Sequence, residues 1–469
     1  MNKDLITIIG GRLFQVLIIL LSIRILTTLL SPEEVGNYYL ATTILAFFNL
    51  VLLNPTGTYF SRNLLQFKKS KNLLNALLVF LLWMIIVVVL TFPLITLLFN
   101  LTNFSTKFNF WAFVFFIISA VMISTTHRNI LASINTLGYR KSFVIFLNTT
   151  LIIGLISSIT LVYFYNSNSL SWLFGVIVGE ALMIFSIFKI FVKGNNIDIK
   201  KIKSIFSKKR LTEILKFTLP IGITTFLMWG QSMSYRFIVD FKYSAESLGF
   251  IAVGLGISSG IFVSLETIAM QYYNPIFLKD ILDANKDQRT NAWNKMASIF
   301  IPVYTLAMVF VFCMAETLTS LLVDSKFHDS FIFAMVGATI EFFRVLTNLL
   351  NNVSQSERKT SNTIMPYFIG FFIVLCFLQA FDFSKNLLMI SVILSIAYFS
   401  SCIVMYVQMK KLLNISIKVN FLKILILSLP FGLIFLLPDT NLIITNLCYL
   451  ILFGSYFMFC LWSLLKKLI

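Results

Sequence analysis

The stretch LLNALLVFLLWMIIVVVLTFPLITLLF, Leu73–Phe99, carries no charged residue. A helix that crosses a bilayer needs roughly 20 predominantly apolar residues, and this run exceeds that length. Similar runs lie on both sides of it. Upstream are Leu5–Leu30 and Asn37–Thr56, and downstream are Phe110–Leu137, Ser142–Tyr165 and Leu170–Val192. After a basic stretch come Ile214–Val239, Leu248–Phe277, Asn294–Val323 and Ser330–Val353, then Asn362–Phe381, Asn386–Met409, Phe421–Leu437 and Leu442–Leu465. The pattern predicts an all-α polytopic membrane protein with about 14 transmembrane helices.

Composition points the same way. Of 469 residues, 58% are apolar and 12% charged, against roughly 45–50% and about 25% in an average soluble domain. So few charges cannot cover a water-facing surface of this size, which excludes a soluble enzyme, a disordered chain and a secreted disulfide scaffold. The five cysteines, Cys313, Cys376, Cys402, Cys448 and Cys460, all fall in apolar runs without metal-ligand spacing, where a thiol acts as a small hydrophobe. No metal cluster is expected, because the histidines are His127 and His328 alone. A G-x-x-x-x-G-K-[ST] phosphate loop is also missing from the sequence. The first segment is too long for a signal-peptide core of roughly 7–15 residues and is expected to stay as the first span.

The net charge of +18 suggests a nucleic-acid binder until its distribution is considered. Connections at one set of helix ends hold 24 Lys and Arg, while the alternate set holds only Lys107, Lys242, Lys326 and Lys385. Basic residues accumulate on the cytoplasmic side of membrane proteins, so both termini are expected inside. The opposite loops are short and leave no room for an external catalytic domain.

Transporters are commonly built from duplicated halves, and a repeat is visible here. Ser31-Pro32-Glu33-Glu34-Val35-Gly36 follows the first segment, and Ser244-Ala245-Glu246-Ser247-Leu248-Gly249 follows the seventh, 213 positions later. Arg24 precedes the first hexapeptide and Arg236 the second, and Asn54-Pro55 and Asn274-Pro275 close the next segments. Both copies run in the same direction, so the repeat is parallel. The expected organisation is an N-lobe at 1–192 (six helices), a basic cytoplasmic linker at 193–212, a C-lobe at 213–409 (six helices), and two further helices at 410–469. Ile199, Ile202, Ile205 and Phe206 recur at helical spacing among the linker lysines. That pattern fits an amphipathic helix on the membrane surface and equally a solvated tether.

Charges within spans cost roughly 2.5–3.5 kcal/mol each at the helix centre and therefore face a cavity or a partner. Arg24, His127, Arg128, Glu180, Arg236, Glu266, Glu341 and Arg344 are such residues. Glu341, Arg344, Asn348, Asn351 and Gln355 are spaced by three and four, hence on one helix face. Thr225, Trp229, Ser232 and Arg236 repeat this in the seventh segment, and Ser124, Arg128 and Asn135 in the fourth. These stripes point to a polar cavity, although Glu341 and Arg344 also read as a structural pair, and His127 as a packed core residue. Arg24, Arg128 and Arg236 lack an acid three or four positions away in their own segments, Asp240 near Arg236 excepted. A planar guanidinium in that position suits the oxygens of a phosphate or carboxylate.

The run from Arg24 through Leu30-Ser31-Pro32-Glu33-Glu34-Val35-Gly36-Asn37-Tyr38 resembles the helix 1–2 junction of polysaccharide flippases of the multidrug/oligosaccharidyl-lipid/polysaccharide exporter superfamily. Leu137-Gly138-Tyr139-Arg140-Lys141 resembles the inner loop after their fourth helix, and the junction after Arg236 the start of their second lobe. The resemblance implies two lobes that alternately open a central cavity in a bacterial cytoplasmic (inner) membrane. It implies a substrate of O-antigen or capsule repeat units on undecaprenyl diphosphate, moved to the outer leaflet for surface polysaccharide or lipopolysaccharide biosynthesis. A polysaccharide polymerase and a chain-length regulator are the implied partners. Arg24, with Arg236 and Arg128, would hold the diphosphate. No cofactor is implied beyond a proton or sodium gradient. Segments 1–5 have no mid-membrane acid, so coupling would fall to Glu180, Glu266 or Glu341, with Arg344, Asn348 and His127 as polar neighbours. Trp229, Tyr235 and Tyr272 are candidates for stacking on sugars. The alternatives are a cation/drug antiporter of the same superfamily, which needs acidic cavity groups, and a membrane polymerase, which needs a large outer loop.

Overall fold

The computed structural model describes residues 3–101, 104–192, 208–357, 359–417, 419–438 and 443–465. Among these residues there is no strand. The first part of the chain forms α1 (Lys3–Leu29), α2 (Pro32–Phe47), α3 (Asn54–Arg62), α4 (Leu64–Lys69), α5 (Leu73–Leu101), α6 (Phe104–Lys107), α7 (Phe110–Ser119), α8 (Thr125–Thr136), α9 (Arg140–Phe164) and α10 (Ser169–Val192). After the basic stretch come α11 (Lys208–Lys242), α12 (Ala245–Ile281), α13 (Lys286–Cys313), α14 (Ala315–Leu322), α15 (Phe331–Ser356), α16 (Ile364–Ala380), α17 (Leu388–Leu412), α18 (Phe421–Ser428) and α19 (Ile443–Leu465).

Twelve of these helical stretches are long and apolar enough to cross a membrane. Apolar side chains are exposed along them, including Val89, Leu182 and Ile451 at 60% or more, as expected where lipid is the solvent. The protein is a multi-pass membrane protein. The other two of the fourteen anticipated segments are helical but differ in kind. α11 bears Lys208, Lys209, Arg210, Glu213 and Lys216 at one end and Arg236, Asp240 and Lys242 at the other, which shortens its apolar stretch. Phe421–Leu436 is a shorter apolar helix that changes from α to 3-10 at Leu429. Pro430 there lacks the N–H that would continue the α ladder.

Contacts divide the chain into two compact units, Met1–Trp229 and Gly230–Ile469. The division falls inside α11. The expected linker 193–212 lies largely outside the described residues, and with it the helical pattern at Ile199–Phe206.

The two repeated hexapeptides fold alike. Ser31 caps α2 by accepting from the Glu34 N–H, and Ser244 caps α12 by accepting from the Ser247 N–H. Each serine satisfies a donor that the first helical turn leaves unpaired. The Asn-Pro pairs do not close helices, contrary to the sequence expectation. Asn54-Pro55 opens α3 after a π-helical turn at Phe48–Leu53, so the span continues to Arg62. Asn274-Pro275 lies within α12, which runs to Ile281. Proline is tolerated within membrane helices because local adjustments re-satisfy the freed carbonyl.

Small residues set the closest helix approaches inside each unit. A Cβ on Gly179 of α10 would meet Gly154 backbone atoms of α9 at 2.5–2.6 Å, and one on Gly175 would meet the Ser158 backbone at 2.3 Å. In the second unit the Ser258 hydroxyl of α12 donates to Ala334 O of α15 at 2.6 Å. Polar and small residues play this role because apolar side chains alone gain little by leaving lipid.

Candidate functional site

In the first unit, polar side chains gather around two π-helical turns. One is Phe48–Leu53, and the other, Ala120–Ser124, joins α7 to α8. Such turns add a residue to the helical repeat and recur at functional sites. Asn49 in the first accepts a 2.7 Å hydrogen bond from Thr125, which directly follows the second. Ser124, the last residue of the second turn, donates its hydroxyl to Glu180 Oε2 on α10. One turn further, buried His127 places Nε2 3.0 Å from Thr150 Oγ1 on α9. The Thr150 hydroxyl itself donates to Phe146 O at 2.8 Å, which assigns the bridging proton to the imidazole. Arg128 is exposed and lies within Coulombic reach of both Glu180 and His127.

In the second unit, four of the sequence candidates converge. Arg344 on α15 donates through Nε to Glu341 Oε2 at 2.6 Å and through Nη1 to Glu266 Oε2 on α12 at 3.0 Å. Asn348, one turn on, donates to Glu266 Oε1 at 2.9 Å. Two carboxylates thus share one guanidinium. Arg344 Nη2 is buried and makes no hydrogen bond within the described residues. Tyr304, Tyr367 and Tyr398 surround the group, each within Coulombic reach of Arg344. The pairing of Glu341 with Arg344 agrees with the structural reading of their spacing, and Glu266 extends it across two helices.

The arginines expected to bind an anion are placed differently. Arg24 is half-buried on α1, and Thr27 and Thr28 donate their hydroxyls to its carbonyl at 2.9 and 2.8 Å. Arg236 is half-buried on α11, with its guanidinium 5.8 Å from the Tyr235 ring and Nε 3.4 Å from the Tyr235 hydroxyl. Arg24 and Arg128 belong to the first unit, and Arg236, Glu266 and Arg344 to the second. Among the aromatic candidates, Tyr235 is buried at 2% exposure. Trp229 is half-buried, and its indole donates to Thr43 O at 3.1 Å. The Tyr272 side chain lies outside the described residues.

Sequence reasoning missed Asn49, Thr150 and the tyrosines. Asn49 and Thr150 carried a signal, being polar residues inside apolar segments. The tyrosines did not, since a chain with 16 of them gives no reason to choose three.

A family model described as "Polysaccharide biosynthesis protein" matches residues 25–332, a range that includes Arg128, Glu180, Arg236 and Glu266. No curated protein matches the chain by sequence. Among solved structures, the chain is similar to the lipid II flippase MurJ in an inward closed conformation, with TM-score 0.67, 16% identity, and 99% of each chain covered. It is also similar to an inward-facing multidrug resistance MATE family transporter of the MOP superfamily. There the TM-score is 0.62 and the identity 11%, over 88% of this chain and 99% of that one. A MOP superfamily transporter from Pyrococcus furiosus, described as having reversed binding-pocket polarity, gives TM-score 0.58 and 13% identity. That match covers 87% of this chain and 93% of the other. These likenesses establish a shared fold.

Proposed function

The chain belongs to the polysaccharide biosynthesis protein family, and from that premise we propose that it flips a lipid-linked oligosaccharide across the membrane. The family match over residues 25–332 is the observation that carries this reading. In this proposal the substrate is a surface-polysaccharide repeat unit, of O-antigen or capsule type, on undecaprenyl diphosphate. It moves from the cytoplasmic to the outer leaflet of the bacterial cytoplasmic membrane, with both termini of the protein inside. A polymerase and a chain-length regulator then take up the product.

The work of such a transporter is to shield a diphosphate and a hydrated glycan from hydrocarbon while the lipid tail stays in the bilayer. Arg24, Arg128 and Arg236 bind the diphosphate, because guanidinium groups offer forked donors to phosphate oxygens and keep their charge. Exposure of Arg128 on α8, and half-exposure of Arg24 and Arg236 inside the long helices α1 and α11, support that role. Transport is coupled to a proton or sodium gradient through Glu180, Glu266 and Glu341, with His127, Arg344 and Asn348 as their polar neighbours. The surplus of carboxylates around Arg344 supports this assignment, since among the described residues the two share one cation.

The test is flipping of a labelled undecaprenyl diphosphate oligosaccharide in proteoliposomes, read by the protection of its sugars from an added glycosidase. Arg24→Ala and Arg236→Ala, each folded, are expected to slow flipping at least about tenfold. That corresponds to losing hydrogen bonds to a charged group, about 1.5–3 kcal/mol. Normal flipping in both variants would sink the diphosphate assignment, and absence of flipping by the native protein would sink the function.

A further inference from the structure

One apolar core in the first unit joins two connections that are far apart in sequence. Phe60 of α3, Leu64 of α4, Leu73 of α5, Ile134 of α8 and Phe143 of α9 are all buried in it. Between α4 and α5, Lys71 has φ 53°, and the Asn72 N–H donates to Phe67 O at 2.8 Å. Between α8 and α9, Gly138 has φ 94°, and the Tyr139 N–H donates to Ile134 O at 3.1 Å. Both are Schellman turns, in which a left-handed residue stops the helix and the next N–H returns to its last turn. Each connection is therefore a fixed turn seated on the same core.

The surface of these turns is basic throughout. Arg62, Lys68, Lys69, Lys71, Arg140 and Lys141 are exposed, and no aspartate or glutamate occurs between Glu34 and Glu180. Glu213 of α11, one turn before the Phe217 ring that holds the Arg62 guanidinium at 5.4 Å, is exposed beside exposed Lys216. Apolar groups lie among the cations, Leu65 at 55% exposure and Tyr139 at 48%. The turns follow the spans Pro32–Arg62 and Phe110–Thr136 and precede the spans Leu73–Asn100 and Arg140–Phe164, so the patch lies where the spans leave hydrocarbon.

We propose that this patch binds the phosphate groups of anionic phospholipids of the phosphatidylglycerol class. Basic residues next to spans are general in membrane proteins. This patch differs in having no acid on its two turns and in holding its cations on fixed backbone. A lipid fits better than a soluble polyanion, because leucine and tyrosine at the same level suit the boundary between headgroups and acyl chains. Lysine stems lie along apolar surface while their ammonium groups reach the headgroups, and tyrosine is enriched at that depth. Lys71 adds a separate argument. Its left-handed backbone is one that glycine adopts without steric cost, so the charge stands where glycine would be the more stable residue. The proposal does not depend on the flippase reading, because neither the ligand nor the readout involves the lipid-linked sugar.

The experiment titrates dioleoyl phosphatidylglycerol or dioleoyl phosphatidylcholine into the full-length protein in detergent. It reads thermal stabilisation together with hydrogen exchange at residues 63–72 and 137–142. Phosphatidylglycerol is expected to stabilise the protein and to slow exchange in both stretches, and phosphatidylcholine to do neither. The combined variant Lys68→Gln, Lys69→Gln and Lys71→Gln should need at least about tenfold more phosphatidylglycerol for the same effect. A control that removes the same charge from exposed positions of the second unit, Lys279→Gln, Lys286→Gln and Lys295→Gln, should shift the midpoint by less than about twofold. Lys71→Gly is expected to raise the melting temperature without lipid and to weaken the phosphatidylglycerol response by about fivefold, the contribution of one basic residue near an anionic surface. Equal responses to the two lipids would overturn the proposal. So would a control variant that shifts as far as the patch variant, because net charge alone would then explain the preference. Stabilisation by inorganic pyrophosphate as strong as by phosphatidylglycerol would overturn it in favour of a soluble anion. A flipping assay that fails while the lipid preference persists would remove the flippase reading alone.

Discussion

Arg344 Nη1 lies 3.0 Å from Glu266 Oε2, across 78 positions of sequence, and this contact ties α12 to α15 within the second unit. The same guanidinium holds Glu341 at 2.6 Å, with side-chain exposures of 22% for Arg344, 17% for Glu266 and 9% for Glu341. Removing one partner of a buried ion pair leaves the others charged and unpaired, which costs roughly 3–5 kcal/mol. Arg344→Ala is therefore expected to lower stability by about that amount in detergent, measured by denaturant unfolding. Arg344→Lys should recover only part of it, because an ammonium cannot address two carboxylates with a fixed fork. Full stability in Arg344→Ala would mean that the carboxylates are already neutralised in another way.

The triple replacement Glu266→Leu, Glu341→Leu and Arg344→Met gives the opposite expectation. Substituting apolar groups for an entire buried charge cluster is often neutral or stabilising. The triple variant should unfold no more easily than Arg344→Ala and is expected to be more stable than it. If the proposed coupling role holds, the same variant loses gradient-dependent transport while remaining folded. Gradient-dependent transport that survives the triple change would take Glu266 and Glu341 out of the coupling mechanism.

How far the sequence disclosed these features depends on the range of the interaction. Leu73–Phe99 declared itself by length and apolarity, because a span is a local property of the chain. The Ser31 and Ser244 caps are equally local, a hydroxyl meeting an N–H three residues on, but the two hexapeptides read as a repeat and not as caps. Glu341 and Arg344 could be paired from their spacing alone. Glu266 could be placed in a span but not beside Arg344, since its partner depends on how α12 packs on α15. The π-helical turns at Phe48–Leu53 and Ala120–Ser124 escaped altogether. Their residues are ordinary, and the extra residue per turn is stabilised by tertiary bonds such as Thr125 to Asn49. Asn54-Pro55 misled because proline ends helices in water far more readily than among packed membrane helices.

Arg289 and Glu357 form a second long-range pair in the same unit. Arg289 Nε and Nη2 reach the two Glu357 oxygens at 2.6 and 3.3 Å, while Nη1 donates to Ala284 O at 2.6 Å. One side chain thereby fastens the turn before α13 to the end of α15. Hydrogen bonds to charged groups contribute about 1.5–3 kcal/mol, so Arg289→Ala is expected to cost an amount in that range. A double-mutant cycle with Glu357→Gln should show a coupling of at least about 0.5 kcal/mol, the lower end for residues in contact. Strict additivity would show that the pair is only a surface contact.

Lys242 caps α16 from a distance. Its Nζ donates to Leu378 O, Gln379 O and Phe381 O at 2.7, 2.8 and 3.3 Å, at the negative end of the helix dipole. A cation there contributes typically about 0.3–1 kcal/mol. Lys242→Met keeps most of the stem and removes the charge, so it should lower stability by about that amount. It should also speed hydrogen exchange at the C-terminal turn of α16. Unchanged exchange there would show that the carbonyls find equivalent partners without the lysine.

Gly179 decides whether α9 and α10 can lie as close as they do. A Cβ at this position would meet Gly154 N, Gly154 Cα and Thr150 O at 2.5, 2.6 and 2.9 Å. All three are backbone atoms, so no side chain can turn aside and the helices themselves must separate. Overpacking of this kind typically costs about 1–3 kcal/mol, outweighing the roughly 1 kcal/mol that alanine gains over glycine in helix propensity. Gly179→Ala is therefore expected to lower the unfolding free energy. Gly260→Ala is the control, since a Cβ there meets nothing within 4 Å and only the propensity gain applies. The two substitutions are chemically identical and should have opposite signs. Equal effects would mean that α9 and α10 pack more loosely than their glycines allow.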